Sequence, residues 1–191
     1  GDNNTLIGYV TGDAITTGGS NTAVGSYSMT TLTTGSNNVA VGTSALDVTT
    51  TGSGNTAVGR DALGANTTAD NNTVVGYQSF MANTTGTRNV GVGLNAGNDN
   101  TTGGFNTFAG AYAGEYCTTG NYNTAIGDAS GSTMTTGDSN TFVGQQAGNA
   151  VTTGAKNTIL GRYTGNQGGL DIRTSSNNIV LADGDGNPRI I

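Results

Sequence analysis

The chain contains no histidine and no tryptophan, and it has one cysteine and one proline among 191 residues. Without histidine, triads with an imidazole base and zinc sites with imidazole ligands are excluded. The single cysteine, Cys117, cannot form a disulfide bond within the chain. The twelve acidic residues are scattered rather than paired. We therefore predict that the protein is not an enzyme and has no catalytic residue, no cofactor and no metal site.

Charge is also scarce, since only 9% of the residues are charged and the formal net charge is −6. The six cations form no cluster in the sequence: Arg60, Arg88, Lys156, Arg162, Arg173 and Arg189. Binding to a nucleic-acid backbone needs a basic patch, so we predict no nucleic-acid partner. No apolar run reaches the roughly 18 residues that span a bilayer, so we predict no membrane insertion.

What the sequence does contain is a 17-residue repeat. Asn, then Thr or Val, then two mostly apolar residues and Gly recur from Asn4 onward. The asparagines are Asn4, Asn21, Asn38, Asn55, Asn72, Asn89, Asn106, Asn123, Asn140 and Asn157. A last copy begins at Asn178, later than the period requires, so the register gains four residues there.

A second anchor, Thr-Thr followed mostly by Gly, begins twelve residues after each asparagine, from Thr16 to Thr152. A disordered low-complexity sequence would show the same amino-acid composition, but its residues would not recur at fixed positions of a repeat. With 34 glycines and only 33% hydrophobic residues, the chain has too few apolar side chains to fill the core of an ordinary globular domain. Stacked repeats need fewer apolar residues, because each repeat is covered by its neighbours.

The residues after each asparagine favour a strand, and the glycine that follows favours a turn. With Thr-Thr-Gly read in the same way, each repeat is expected to form two short strands and two turns. The fold class predicted is therefore all-β, a β-solenoid (β-roll) of 17-residue coils. Ten coils would rise about 48 Å. Residues 1–170 are expected to form this repeat shaft, and residues 171–191 a last strand and the junction to a C-terminal module.

Both faces of the strand are apolar. We assign the third place after the asparagine to the interior of the coil, as at Val24, Val41 and Val58. The second place, as at Ala23 and Ala40, is apolar as well. In a strand with one solvent-exposed face, apolar and polar residues would alternate. Because they do not, a second chain is expected to cover this face. We therefore expect a fibre of more than one chain, with this face at the contact between chains.

Two features have alternative interpretations that the residues leave open. The asparagines could form a ladder of side-chain amides along the stack, or each could cap its own turn. Cys117 shares its place in the repeat with Ile15, Leu32, Met134 and Val151, which favours a buried apolar side chain over a nucleophile.

Three further patterns have both a functional and a structural interpretation. Asp183–Asn187 resembles a calcium loop but lacks the downstream glutamate, so a plain turn is preferred. Gly91-Val92-Gly93 with Gly97 resembles a dinucleotide loop, but no helix follows. The aromatic residues could bind carbohydrate, although packing is favoured: Phe80, Phe105, Phe108, Tyr112, Tyr116, Tyr122 and Phe142.

The repeated Asn-Thr-Ala-Val-Gly, with a small residue such as Ala45 or Ser79 three places later, resembles the head repeats of trimeric autotransporter adhesins. With Thr-Thr-Gly added, it is also similar to the repeats of phage tail fibres. Ser176–Arg189 resembles the stretch that joins such fibre repeats to a trimerising, self-cleaving chaperone. The adhesin resemblance implies a left-handed parallel β-roll of three chains, although the adhesin repeat is shorter than the one found in this chain.

These resemblances imply a structural segment of a phage tail fibre that spaces or presents a host-attachment module. The expected location is extracellular, on a virion tail or a cell surface. The expected partners are two further copies of the chain, and host glycans or a receptor. One alternative is a bacterial trimeric adhesin that binds host glycan or matrix. Another is an ice-binding solenoid, although only one threonine of each Thr-Thr pair can face outward.

Overall fold

Each repeat contributes one three-residue strand, which begins directly after the repeated asparagine. The computed structural model describes residues 1–190, and that part contains no helix. The repeat strands are β1 Thr5–Ile7, β2 Thr22–Val24, β3 Val39–Val41, β4 Thr56–Val58, β5 Thr73–Val75, β6 Val90–Val92, β7 Thr107–Ala109, β8 Thr124–Ile126, β9 Thr141–Val143 and β10 Thr158–Leu160. The C-terminal strands are β11 Asn166–Gln167, β12 Leu170–Asp171, β13 Ile179–Ala182 and β14 Pro188–Ile190.

The ten repeat strands pair in parallel and in sequence order, each with the matching strand of the next repeat. Thr5 pairs with Thr22, and this step is repeated along the stack. The chain therefore forms the predicted all-β solenoid with one coil per 17-residue repeat.

The prediction of a second strand at Thr-Thr-Gly was wrong. This segment runs through bends, and its first threonine is held by its side chain. That hydroxyl donates to the carbonyl of the matching threonine in the next coil at 3.0–3.3 Å, from Thr16 to Thr135. The backbone N–H of the same threonine donates to that carbonyl as well, so main chain and side chain together join neighbouring coils at this segment.

The assignment of the coil interior was also wrong, because the two apolar columns of the strand are exchanged. The second-place residues are buried: Ala23, Ala40, Ala57, Val74, Gly91, Phe108, Ala125, Phe142 and Ile159. The third-place residues are partly or largely exposed, as Val41, Val75 and Val92 show. Since successive side chains of a strand point to opposite faces, the first-place residues share this outer face.

A column that was not predicted from the sequence completes the core. It lies eight residues after each asparagine, and its buried members include Met29, Leu46, Leu63 and Phe80. These residues have φ of 48–53°, a left-handed conformation that non-glycine residues seldom adopt. The turn therefore directs a large side chain inward beneath the strand.

The interpretation of the asparagines as a ladder is confirmed. Each Oδ1 accepts the backbone N–H of the next asparagine at 2.9–3.0 Å, without interruption from Asn4 to Asn178. From Asn4 to Asn140, each Nδ2 also donates to a carbonyl 14 residues ahead at 2.8–3.0 Å. Buried amides therefore tie each coil to the next and fix the register of the strands.

The glycine after each strand allows close stacking. Gly42, for example, has φ of 139°, and a Cβ there would lie 2.5 Å from the carbonyl oxygen of Gly59 in the next coil. A side chain at this place would therefore push two coils apart.

The four extra residues near the C-terminal end do not interrupt the long sheet. Residues 166–171 form the antiparallel β11–β12 hairpin, and β10 then pairs in parallel with β13. β14 folds back antiparallel on β13 and forms the last strand of the sheet. The stack thus ends in a hairpin, with Pro188 at the start of the edge strand.

Candidate functional site: the outer face of the long sheet

The first- and third-place side chains of β1–β10 and β13 form one continuous surface, which we call the outer sheet face. Its first row is Thr5, Thr22, Val39, Thr56, Thr73, Val90, Thr107, Thr124, Thr141, Thr158 and Ile179. Its second row is Ile7, Val24, Val41, Val58, Val75, Val92, Ala109, Ile126, Val143, Leu160 and Leu181. No residue of either row is charged. Eleven strands about 4.8 Å apart make this face roughly 48 Å long.

Nothing in the described chain covers the outer sheet face. Ile7, Val75, Val92, Ile126 and Leu160 rank among its exposed large hydrophobic residues. Exposed apolar patches of more than a few hundred square ångströms are rare on monomeric proteins and mark interaction sites. The parallel register repeats this surface at every coil. A partner would therefore contact a long, narrow surface and not a closed pocket.

Cys117 lies inside the coil, as the apolar interpretation predicted. It is fully buried, and its Sγ lies 3.8 Å from the carbonyl oxygen of Gly120. Burial raises the pKa of the thiol to about 12. A protonated, enclosed thiol is a poor nucleophile and a poor metal ligand.

Asp183–Asn187 is a turn, because its first carboxylate is used within the loop. Asp183 Oδ1 accepts the backbone N–H of Asn187 at 2.9 Å, and Oδ2 pairs with the Arg189 guanidinium at 2.5 Å. The hydrogen bond from the Asn187 backbone is the main cause that lowers the pKa of Asp183 to about 2. Within residues 1–190, no cluster of three or more His, Cys, Asp or Glu side chains could hold a metal ion.

Gly91 does not belong to a phosphate-binding loop, because it faces the core. A Cβ on Gly91 would lie 2.5 Å from the Phe80 ring, and one on Gly97 would lie 2.6 Å from it. These two glycines make room for an aromatic side chain from the preceding coil. The absence of a side chain at these two positions therefore serves packing.

An open groove of about 530 Å³ crosses the turns of the third to fifth coils. Ala65, Ala82, Asp47 and Asp61 are among the residues that line it. The Asp61 carboxylate is 3.3 Å from the guanidinium of Arg60, and Asp47 accepts a hydrogen bond from the Thr30 hydroxyl. Both acids therefore have local partners.

The aromatic residues divide into two groups. Phe80, Phe108 and Phe142 are buried, which confirms packing for them. Phe105 and Tyr122 are exposed and stack on each other across neighbouring coils, with ring centroids 4.8 Å apart. The sequence interpretation treated these residues singly and missed their alignment, although their spacing of one full repeat was a sufficient signal.

No helix in the described part of the chain is long and apolar enough to cross a membrane. No protein-family model matches the chain, and no curated protein or solved structure was found to match it.

Proposed function

We propose that the protein is a structural segment of an extracellular, homotrimeric fibre, of the kind found in phage tail fibres, that spaces or presents a host-attachment module. The observation that carries this proposal is the outer sheet face, which carries no charge and has one unbroken row of apolar side chains beside a row of mostly threonine. A second copy of the chain offers a surface of matching length and repeat spacing. Three copies side by side would bury the outer sheet face on each chain.

The resemblance of Ser176–Arg189 to tail-fibre junctions supports a tail fibre over a bacterial surface adhesin. The solenoid supplies what a spacer needs. Its coils are tied together by the asparagine ladder at every level, and buried, fully paired amides favour a single register. Such regular bonding between coils suits a spacer that must hold its two ends apart.

The experiment is sedimentation equilibrium on the wild type and two matched variants. Val41 is 37% exposed on the outer sheet face, and Val48 is 39% exposed elsewhere in the same coil. We expect three times the chain mass for the wild type and for Val48→Lys. Val41→Lys should dissociate, because three ammonium groups would be brought together away from water. A wild type that sediments as a monomer throughout the concentration series would falsify the trimer.

Ice binding is a second candidate, and the outer sheet face is the observation that favours it. Regular rows of threonine and valine on one side of a parallel sheet provide a repeated array of hydroxyl and methyl groups. A trimer would cover these same rows, so the two candidates compete for one surface. Thermal hysteresis measured on the sample used for sedimentation separates them, because a trimer without hysteresis excludes ice binding.

The alternative of an adhesin requires a glycan or matrix ligand on the lateral surface. A glycan array probed with the purified repeats tests it. Tight binding to particular glycans, well below the millimolar range of a single weak sugar contact, would favour an adhesin, and uniform silence would favour a spacer.

A further inference from the structure

One turn places a cation and two aromatic rings in a single column. Arg88, Phe105 and Tyr122 each directly precede the repeated asparagine, with φ of 58–60°. The Arg88 guanidinium carbon lies 5.2 Å from the centroid of the Phe105 ring. The Phe105 and Tyr122 rings are 16° from parallel, with centroids 4.8 Å apart. The three side chains therefore form a stacked ladder on the surface, across three coils.

Only the last ring of this ladder keeps an open face. Arg88 covers one side of Phe105, and Tyr122 covers the other. Beyond Tyr122, the column continues with the small Ser139 and then with Lys156. Two coil steps, about 9.6 Å, separate Tyr122 from the level of Lys156. That gap admits one more ring layer at van der Waals distance, and Tyr122 is 60% exposed.

Polar side chains at the coil levels of this gap keep atoms that have no hydrogen-bond partner within residues 1–190. Asp138 Oδ1 accepts the backbone N–H of Asn121 at 2.6 Å, whereas its Oδ2 has no hydrogen bond within residues 1–190. The Ser139 hydroxyl and the Lys156 ammonium likewise have no partner in the described chain. One carboxylate and one ammonium together leave the gap without net charge.

We propose that the open face of Tyr122, with Asp138 and Ser139, is a subsite for a pyranose ring of a neutral glycan. The C–H groups of the sugar would lie against the aromatic face, which carries negative charge density. Asp138 Oδ2 would accept hydrogen bonds from sugar hydroxyls, as charged acceptors do most strongly. The site goes beyond the spacer role and does not depend on which fibre class the chain belongs to.

The affinity of one such subsite is low, with a dissociation constant of about 1 mM, because the ligand has roughly a dozen non-hydrogen atoms and one binding face. A trimer would carry three copies of the subsite, one on each chain, and would raise the effective affinity through multivalency. Repeated weak contacts suit reversible attachment to a glycan-coated surface.

Saturation-transfer NMR on the full chain tests the subsite. The probes are methyl glucopyranoside, methyl galactopyranoside and N-acetylglucosamine, with sorbitol as a polyol that lacks a ring face. We expect saturation of ring protons for at least one pyranoside and none for sorbitol. Tyr122→Phe should retain binding, Tyr122→Ser should weaken it at least about tenfold, and Asp138→Asn about threefold.

The matched control is Tyr116→Ser, which removes an exposed tyrosine of the same repeat that has no aromatic partner in the described chain and should leave binding unchanged. Ser20 and Ser139 occupy the column of Tyr122 with the same backbone conformation, so Tyr122→Ser is compatible with the fold. The subsite is overturned if no pyranoside binds, if Tyr116→Ser weakens binding equally, or if Tyr122→Ser dissociates the oligomer. Sedimentation of the same samples shows whether the trimer is intact, so that loss of the sugar subsite can be distinguished from loss of the trimer.

Discussion

The ring of Phe108 fills the space in which a side chain at Gly114 would lie, since a Cβ on Gly114 would be 2.7 Å from the ring carbons. The fourth coil has the opposite arrangement, with the small Ala57 in the strand and the large Leu63 at the turn. The second and eighth places of the coil therefore share one volume, which either residue can fill.

This shared volume predicts a strong coupling between Phe108 and Gly114. Phe108→Ala should lower the free energy of unfolding by about 3–5 kcal/mol through the cavity it leaves. Gly114→Leu should lower it by about 1–3 kcal/mol through overpacking, and its φ of 59° adds strain. The double variant restores the Ala and Leu pair of the fourth coil. In guanidinium denaturation it should be more stable than the sum of the single effects by about 0.5–3 kcal/mol.

The control for this cycle combines Phe108→Ala with Gly148→Leu. Gly148 lies against Phe142, two coils away from Phe108. The two effects should therefore add within about 0.5 kcal/mol. Equal coupling in both cycles would contradict a local exchange of volume.

The asparagine ladder predicts that Asn123→Ala is destabilising. Asn123 Oδ1 accepts the backbone N–H of Asn140 at 2.9 Å, and its Nδ2 donates to the Gly137 carbonyl at 2.8 Å. The substitution leaves both buried groups without a partner, at a cost of about 1–3 kcal/mol each. Thermal unfolding followed by circular dichroism measures the loss.

Asn71→Gly is the matched control for Asn123→Ala. Asn71 is exposed and has φ of 60°, and Gly54 occupies the same place in the preceding coil. The change should alter the stability by less than about 0.5 kcal/mol. If the two variants unfold at the same temperature, the ladder does not stabilise the fold.

Burial of Cys117 predicts a stability that falls in alkaline solution. The folded thiol has a pKa of about 12, and the unfolded thiol has a pKa of 9.0. Between these values the unfolded chain releases its proton first, so the stability present below pH 9.0 is lost as the pH rises toward about 12. Denaturation curves along this range measure the loss, and Ellman's reagent should react only after unfolding.

Cys117→Val is the control, because Val151 occupies the same place in the repeat and is buried there. This variant lacks the thiol and should show a weaker decline over the same pH range. Parallel curves for the variant and the wild type would show that Cys117 is not the cause.

The C-terminal turn predicts an unusually acidic carboxyl at Asp183. Its backbone hydrogen bond from Asn187, with the Arg189 ion pair, lowers the pKa to about 2. The carboxyl carbon of Asp183 should titrate near pH 2 in NMR spectra, and Arg189→Ala should raise the midpoint toward 3.8. Since the folded pKa is lowered, its contribution to stability is present above pH 3.8 and is lost as the pH falls through about 2.

Arg173→Ala provides the comparison for Asp183, because Arg173 pairs with Asp171 instead. It should leave the titration of Asp183 unchanged. Amide exchange at Asn187 should accelerate as Asp183 becomes protonated. A midpoint near 3.8 in the wild type would rule out this account of the turn.

The period of the asparagines was enough to predict the coil and its register. Asn21 and Asn38 lie one above the other because side-chain amides bond best between identical levels, and this phase is visible in the sequence. The location of Cys117 also followed from its apolar neighbours in the repeat. These features depend on the spacing of residues, which a single sequence contains in full.

The inner and outer faces could not be assigned from the sequence, because both columns of each strand are apolar. Ala40 is buried and Val41 is exposed, the reverse of the order that their size suggests. The turn decides this, since Leu46 adopts a left-handed conformation with φ of 52° and fills the space beneath Ala40. Such a conformation for leucine has no signature in the sequence. The aromatic ladder was missed for another reason, since it appears only when residues one repeat apart are compared.

The large core side chain of a coil can come either from the strand or from the turn. This choice determines in which parts of the shaft whole coils can be gained or lost during evolution. The second to fourth coils combine alanine with Met29, Leu46 or Leu63, so any of them could be lost or duplicated while each neighbour still meets a similar surface. Phe80, by contrast, reaches into the next coil and stacks on Phe108 beyond it, with ring centroids 5.6 Å apart. Unequal recombination in the first region would shorten or lengthen the rod in steps of about 4.8 Å without any compensating substitution. In the aromatic region the same event would leave either a hole or a collision.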